Sequence, residues 1–263
     1  MKRRDFLATT TLGTLGLGIN EMSAATSSPN KPADAREKIL ISGGGVNKKL
    51  IEYVSKLTGK KKPRLCFLPT AAADQPRVAV YWYQLCAGID VVPFVQNVFI
   101  SSYYMKESFE DILLSMDGII VGGGNTLNML AIWKAQGIDK VLHKAWKKGI
   151  VLSGGSAGSL CWFEEGTTDS RPVELTKIEC LGFLDGSHSP HYDGEEARRP
   201  RYHELIRSGN LKPGYAVDNN AAILFIGKKV DKIIATDNKS KAYYVQLKNG
   251  SISEDVLRPD IIL

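Results

Sequence analysis

Short apolar runs recur along the chain and alternate with stretches whose apolar residues fall at helical spacing. Residues 38–42 (Lys-Ile-Leu-Ile-Ser) form an apolar run stopped by Gly43-Gly44-Gly45, which predicts a strand followed by a loop. In 47–57, Leu50, Ile51, Val54 and Leu57 share one face of a 3.6-residue period, so this stretch reads as a helix. The alternation continues with a strand at 64–69, a helix over 76–88, a strand at 91–94 and a short helix at 109–115. A strand at 117–121 follows, then helices over 126–135 and 138–148 and a strand at 149–153. Further strands are predicted at 221–226, 232–236, 242–247 and 251–257. Continuous apolar strands separated by amphipathic helices indicate a mostly parallel sheet covered on both faces, an α/β three-layer sandwich. In such sheets sites form in the loops beyond the carboxyl ends of the strands. Two glycine-rich loops stand at such ends, after 117–121 and after 149–153.

The N-terminus departs from this alternation. Arg3-Arg4-Asp5-Phe6-Leu7 precedes a weakly hydrophobic stretch, and Ser23-Ala24-Ala25 supplies the small residues of a cleavage site. Residues 1–25 therefore read as a signal peptide of twin-arginine type, a receptor-read address for export to the periplasm or beyond. Residues 26–36 read as a flexible tether, leaving 37–263 as one domain. That is enough chain to bury a full core without staples.

Composition adds exclusions. With 43% hydrophobic and 24% charged residues, the 263-residue chain is neither disordered nor coiled-coil. The net charge of +6 is dispersed, its longest basic run being Lys60–Lys62, and no nucleic-acid recognition motif accompanies it. No stretch after residue 25 has the ~20 apolar residues that cross a bilayer. The four cysteines show no zinc spacing, so no metal or other cofactor is expected. Cys66 and Cys161 read as small core residues, and a Cys86–Cys180 bridge is left open.

The chemistry concentrates at Gly154-Gly155-Ser156-Ala157-Gly158. A serine on a sharp strand-to-helix turn is presented above the sheet, and the strained backbone requires small neighbours. Here all four are Gly or Ala. The turn aims the Ala157 N–H where an oxyanion would form, and a helix N-terminus adds partial positive charge. The loop Gly122-Gly123-Gly124-Asn125-Thr126 fails the dinucleotide pattern, because Leu127 stands where the third glycine is needed, and it lacks the P-loop Gly-Lys-Ser/Thr. It fits better as a second oxyanion donor from Gly124, with Asn125 beside it to contact substrate. A serine nucleophile needs a base. His143 reads as a surface residue and His203 as a surface or supporting one. His188 and His191 share a loop; His191, fixed by Pro190, is favoured, with His188 the alternative.

These segments together, with Pro190-His191-Tyr192-Asp193, Arg198-Arg199-Pro200 and Gly214-Tyr215-Ala216-Val217-Asp218, resemble the peptidase E / cyanophycinase family of serine peptidases, and within it the peptidase E-like dipeptidases. The resemblance covers about residues 38–228. It implies a flavodoxin-like fold, similar to class I glutamine amidotransferases, with Ser156 as nucleophile, His191 as base, and Gly124 and Ala157 as oxyanion donors. For the third triad member it points to Asp218, with Asp169 as alternative. It also implies that Arg198 holds the side chain of an N-terminal aspartate in the substrate; the competing reading pairs this arginine cluster with Glu195, Glu196 and Glu204 on a surface helix. The expected activity is hydrolysis of short peptides, as a dipeptidase with a preference for N-terminal Asp. A cyanophycinase-like hydrolase of β-Asp-Arg polymer and a non-catalytic small-ligand module are the alternatives. A short peptide is the expected partner, with no nucleic acid and no membrane after leader removal; a homodimer is left open.

Overall fold

The computed structural model describes residues 36–99 and 102–263, so the leader expected at 1–25 and nearly all of the tether lie outside the described residues. From the amino end run β1 (Lys38–Ser42), α1 (Lys48–Leu57), β2 (Arg64–Leu68), α2 (Pro76–Cys86), β3 (Val92–Val95), α3 (Phe109–Leu114) and β4 (Gly118–Val121). Then come α4 (Thr126–Gln136), α5 (Ile138–Lys147), β5 (Val151–Gly155) and the single-turn α6 (Ala157–Leu160). Side-chain caps set where helices begin: Asn47 accepts the Leu50 N–H at 3.1 Å, and Ser108 forms a capping box with Asp111. Gly137, in the left-handed region at φ 74°, separates α4 from α5.

β1, β5, β4, β2 and β3 lie side by side in parallel. Every residue of β1, β4 and β5 is buried, as strands covered on both faces must be. One face carries α1 and α2, whose Leu50, Ile51, Val54 and Trp82 pack on Leu40, Leu65, Phe67 and Ile120. On the other, Leu113, Leu130, Trp133, Leu142 and Trp146 of α3–α5 join Ile39, Cys66, Ile119 and Leu152. The sheet extends beyond β1 through β10 (Ala221–Ile226), β11 (Lys229–Ala235) and β14 (Ile261–Ile262), the first two antiparallel to their inner neighbours.

A second sheet of six strands is present, of which the sequence predicted the two C-terminal strands, at 242–247 and 251–257, but not the other four. It contains β6 (Phe163–Thr168), β7 (Thr176–Glu179), β8 (Leu184–Ser189), β9 (Gly214–Val217), β12 (Ala242–Lys248) and β13 (Ser251–Leu257), in the order β13-β12-β9-β8-β6-β7. α7 (Arg198–Arg207) packs Tyr202, Leu205 and Ile206 against this sheet's Ala216 and Val245. The four cysteines are free thiols, with no Cys86–Cys180 bridge: Cys86 packs in the α1/α2 core and Cys180 against the opposite one. Burial pushes the Cys66 thiol up to about 12 and that of Cys86 up to about 11, which keeps both protonated.

Candidate active site

Three strands deliver the site. β5 ends directly at Ser156. β8 and β9 run parallel as neighbours, with Ser189 paired to Ala216, so His191 and Asn219, each two residues past its strand, emerge at the same edge. The two sheets meet there: the His191 N–H donates to Gly43 O at 3.1 Å, beyond β1, and the Tyr192 N–H to Val217 O at 3.2 Å.

Ser156 adopts φ 57° and ψ −121°, a conformation that costs a non-glycine residue about 1–3 kcal/mol. The surroundings enforce it. A Cβ on Gly154 would stand 2.2 Å from Gly158 O, and one on Gly158 would stand 2.1 Å from Val121 O, so neither position of the turn admits a side chain. Ser156 Oγ lies 2.8 Å from His191 Nε2, and His191 Nδ1 lies 2.6 Å from Asn219 Oδ1. An amide oxygen can only accept, so Nδ1 carries the proton. Nε2 then presents its lone pair to the serine hydroxyl, the tautomer that general-base action needs. Asn219 is held by its own N–H, which donates to Asp193 Oδ1 at 2.7 Å.

Neither carboxylate expected as third member touches His191. Asp218 points to the other side of its strand end, where Oδ2 accepts the Lys241 N–H at 2.8 Å and Oδ1 has no partner. Successive residues after a strand face opposite ways, so the residue beside the expected one makes the contact. Asp169 is exposed on the loop after β6 and lines a surface cavity with Arg171, Glu174 and Arg201. Asn219 escaped the sequence reading because a carboxylate was sought. The signal for it was its place in Asp218-Asn219 directly after β9.

Burial raises the Asp218 carboxyl to about 6, against the Lys241 N–H that favours its charge. A folded-state pKa above the unfolded one means that the ionised form opposes folding. The penalty is absent below about pH 4, grows as pH rises through about 6, and reaches at most about 3 kcal/mol above that. Asp218→Asn, which keeps an acceptor for Lys241, is expected to be more stable than the wild type at pH 8 by about 1–3 kcal/mol. The advantage should vanish near pH 4 in denaturant titrations. A difference that does not change with pH would contradict this.

The N–H groups of Gly123, Gly124 and Ala157 find no acceptor among the described residues. A Cβ on Gly123 would lie 3.4 Å from Ser156 Oγ, so the glycine keeps the space over the hydroxyl open. α6 is one turn long, so the helix dipole expected from sequence reduces to its individual N–H groups. Asn125 is spent on structure: its Oδ1 accepts the Asn128 N–H at 2.8 Å, capping α4, and its Nδ2 donates to Ser170 O at 3.3 Å.

The remaining candidates are committed elsewhere. His188 lies on β8, not in a loop, and is fully buried. Its Nδ1 donates to Tyr215 O at 2.9 Å and its Nε2 lies 2.9 Å from Ser159 Oγ. Burial lowers its pKa to about 3, so it is a neutral structural group. His143 packs edge-on against Trp146 and Phe183. His203 bonds Tyr192 and Glu254. Arg198 is 2% exposed, with Nε and Nη2 on Glu195 Oε2 at 2.9 and 2.6 Å and Nη1 on Thr167 O at 3.3 Å. The expected substrate fork is thus buried and paired with a carboxylate of this chain. Among the described residues no group of three His, Cys, Asp or Glu is placed to hold a metal ion.

Comparison with known proteins shows the family of the chain. The family model for peptidase family S51 matches residues 38–233. The uncharacterized peptidase YgaJ of Bacillus subtilis is 42% identical over 224 residues, covering 83% of this chain and 96% of that protein. Peptidase E of Shewanella denitrificans is 26% identical over 182 residues, 66% of this chain and 75% of that one. Among solved structures, a peptidase from an acI-B1 Actinobacterium superposes with a TM-score of 0.65 at 15% identity, over 86% of this chain and 95% of that one, a likeness of fold. With three quarters of its length matched by the family model and a relative at 42% identity, the chain belongs to peptidase family S51.

Proposed function

We propose that this peptidase is a serine exopeptidase acting on short peptides, with Ser156 as nucleophile, His191 as general base and Asn219 as the group that orients it. The observation that carries the reading is the 2.8 Å contact between Ser156 Oγ and His191 Nε2 at a residue held at positive φ. Nε2 takes the hydroxyl proton as Oγ attacks the scissile carbonyl, and the resulting imidazolium returns it to the leaving amine. Water, deprotonated by the same Nε2, then attacks the Ser156 acyl ester, and the proton goes back to Oγ as the acid product leaves. The free N–H groups of Ala157 and the Gly123–Gly124 segment receive the oxyanion. Asn219 fixes the tautomer but, being neutral, adds no charge to offset the imidazolium. A dipeptidase is the form of the proposal suggested by the resemblance to the peptidase E-like dipeptidases. The aspartate preference expected from Arg198 would require substrate to displace Glu195. Export through the twin-arginine leader, read from residues 1–25, belongs to the proposal.

The test is release of free amino acids from a panel of dipeptides by the protein spanning 37–263. Cleavage is expected with unblocked dipeptides and is expected to be lost when they are blocked at both ends. Cleavage of internal bonds in long peptides, or of β-Asp-Arg polymer in preference to dipeptides, would overturn the exopeptidase reading.

A further inference from the structure

A cavity of about 220 Å³ opens beside Gly122 and Gly123, on the face of the first sheet covered by α1 and α2. Its walls come from Val46 after β1, Phe67 of β2, Val78, Trp82 and Leu85 of α2, and Gly123. Gly123 is the residue whose missing side chain leaves room over Ser156 Oγ, so the cavity and the nucleophile share a wall. Phe67 and Trp82 stack at 5.1 Å between centroids, forming a rigid aromatic floor. Among the described residues no acidic or basic side chain lines the space; its polar side-chain groups are the Tyr81 hydroxyl and the Trp82 indole N–H, which is buried without a partner. A cavity of roughly 150 Å³ suffices for a benzene ring, so this one holds an amino-acid side chain and not a whole peptide.

We infer that this cavity is a specificity subsite for an apolar side chain, aliphatic or aromatic, on a residue adjoining the scissile bond. The inference rests on the serine-peptidase reading above and deepens it. Two observations with independent origins agree. The pocket beside Gly123 offers mainly dispersion contacts and no cationic side chain, so a carboxylate buried there would have no counter-charge. The guanidinium that could have received an acidic side chain is sealed in its pair with Glu195. α2 is therefore the element that selects substrate, through the face carrying Val78, Trp82 and Leu85.

The test uses two dipeptide series, X-Ala and Ala-X, with X as Phe, Leu, Ala, Asp or Lys. Burial of a Leu or Phe side chain corresponds to about 10- to 100-fold in binding. In one of the two series kcat/KM is expected to favour Phe or Leu over Asp and Lys by that factor. Val78→Trp, which projects into the cavity from a half-exposed helix position, is expected to reduce the Phe-to-Ala ratio at least 10-fold in that series. Binding of the same dipeptides to Ser156→Ala, read by calorimetry, reports on the pocket without chemistry and should show the same order. Should the wild type hydrolyse dipeptides with Asp preferred, or with no preference in either series, the pocket assignment falls while the peptidase reading stands. Should Ser156→Ala bind Phe-containing dipeptides selectively while the wild type hydrolyses none, the pocket stands and the peptidase reading falls. Equal binding of Phe- and Asp-containing dipeptides to Ser156→Ala, or selectivity unchanged by Val78→Trp, overturns the pocket outright.

Discussion

Ser156→Ala, His191→Ala and the double variant are each expected to lower kcat for dipeptide hydrolysis by about 10⁶-fold, with no further loss on combination. The reason is geometric. Among the described residues Ser156 Oγ reaches no other base: the 2.8 Å contact to His191 Nε2 is its side-chain hydrogen bond, and His188 sits behind the turn, fully buried and bonded to Ser159 and Tyr215. A nucleophile without its base, or a base without its nucleophile, leaves the same residual catalysis from oxyanion donors and substrate positioning. Neither substitution removes core packing, since both residues are only half-buried, so denaturant midpoints should change little. Relief of the positive φ at 156 is not expected either, because alanine meets the same backbone strain. Independent, multiplicative losses would mean that the two side chains do not act as a unit. Retention of activity in His191→Ala within 10-fold of the wild type would assign the base elsewhere.

The second large effect concerns Asn219. Asn219→Ala removes the acceptor 2.6 Å from His191 Nδ1, freeing the ring to rotate and to exchange tautomers. A loss of about 10²- to 10⁴-fold in kcat/KM is expected, the range associated with misplacing a general base. Asn219→Asp restores an acceptor of the same shape and adds a charge that favours the imidazolium. Activity should return, and the acid limb of the pH–rate profile should move to higher pH. A purely structural role for Asn219 could be restored by shape alone but would leave the pH profile in place. By contrast, Asp218→Ala should affect kcat/KM far less than Asn219→Ala, since Asp218 bonds the Lys241 N–H and not the imidazole.

The part of this architecture legible in the sequence is the part built from apolar strands. β1, β2, β4 and β5 are short runs of Ile, Leu, Val, Cys and Phe stopped by glycine or proline, and burial on both faces is why they read so clearly. The turn around Ser156 was legible for a different reason: a close approach of backbone to backbone forces glycine at 154, 155 and 158, and that leaves a visible pattern. In the second sheet only β12 and β13 were legible; β6, β7, β8 and β9 were not. β6 reads Phe-Glu-Glu-Gly-Thr-Thr and β8 reads Leu-Asp-Gly-Ser-His-Ser, yet Thr167, Ser187, His188 and Ser189 are fully buried. Their burial is sustained by mutual hydrogen bonds, Thr167 to Ser189 at 2.9 Å and Ser187 to Tyr202 at 2.7 Å. A polar strand satisfied by its neighbours carries no hydropathy signal. The same blindness explains the third member of the site. Which of two adjacent residues faces the imidazole depends on the register of β9 with β8, and register is a tertiary fact. Arg198 follows the same rule, since pairing with Glu195 three residues earlier was as legible as exposure to substrate, and burial chose between them.

The measurement that bears most directly on the central chemistry is covalent trapping of the nucleophile with a serine-reactive phosphonate, followed by mass spectrometry of the modified peptide. One adduct per chain is expected, on Ser156, with a labelling rate that collapses in His191→Ala. An adduct on another residue, or labelling of Ser156 at the same rate without His191, would contradict the proposed pair.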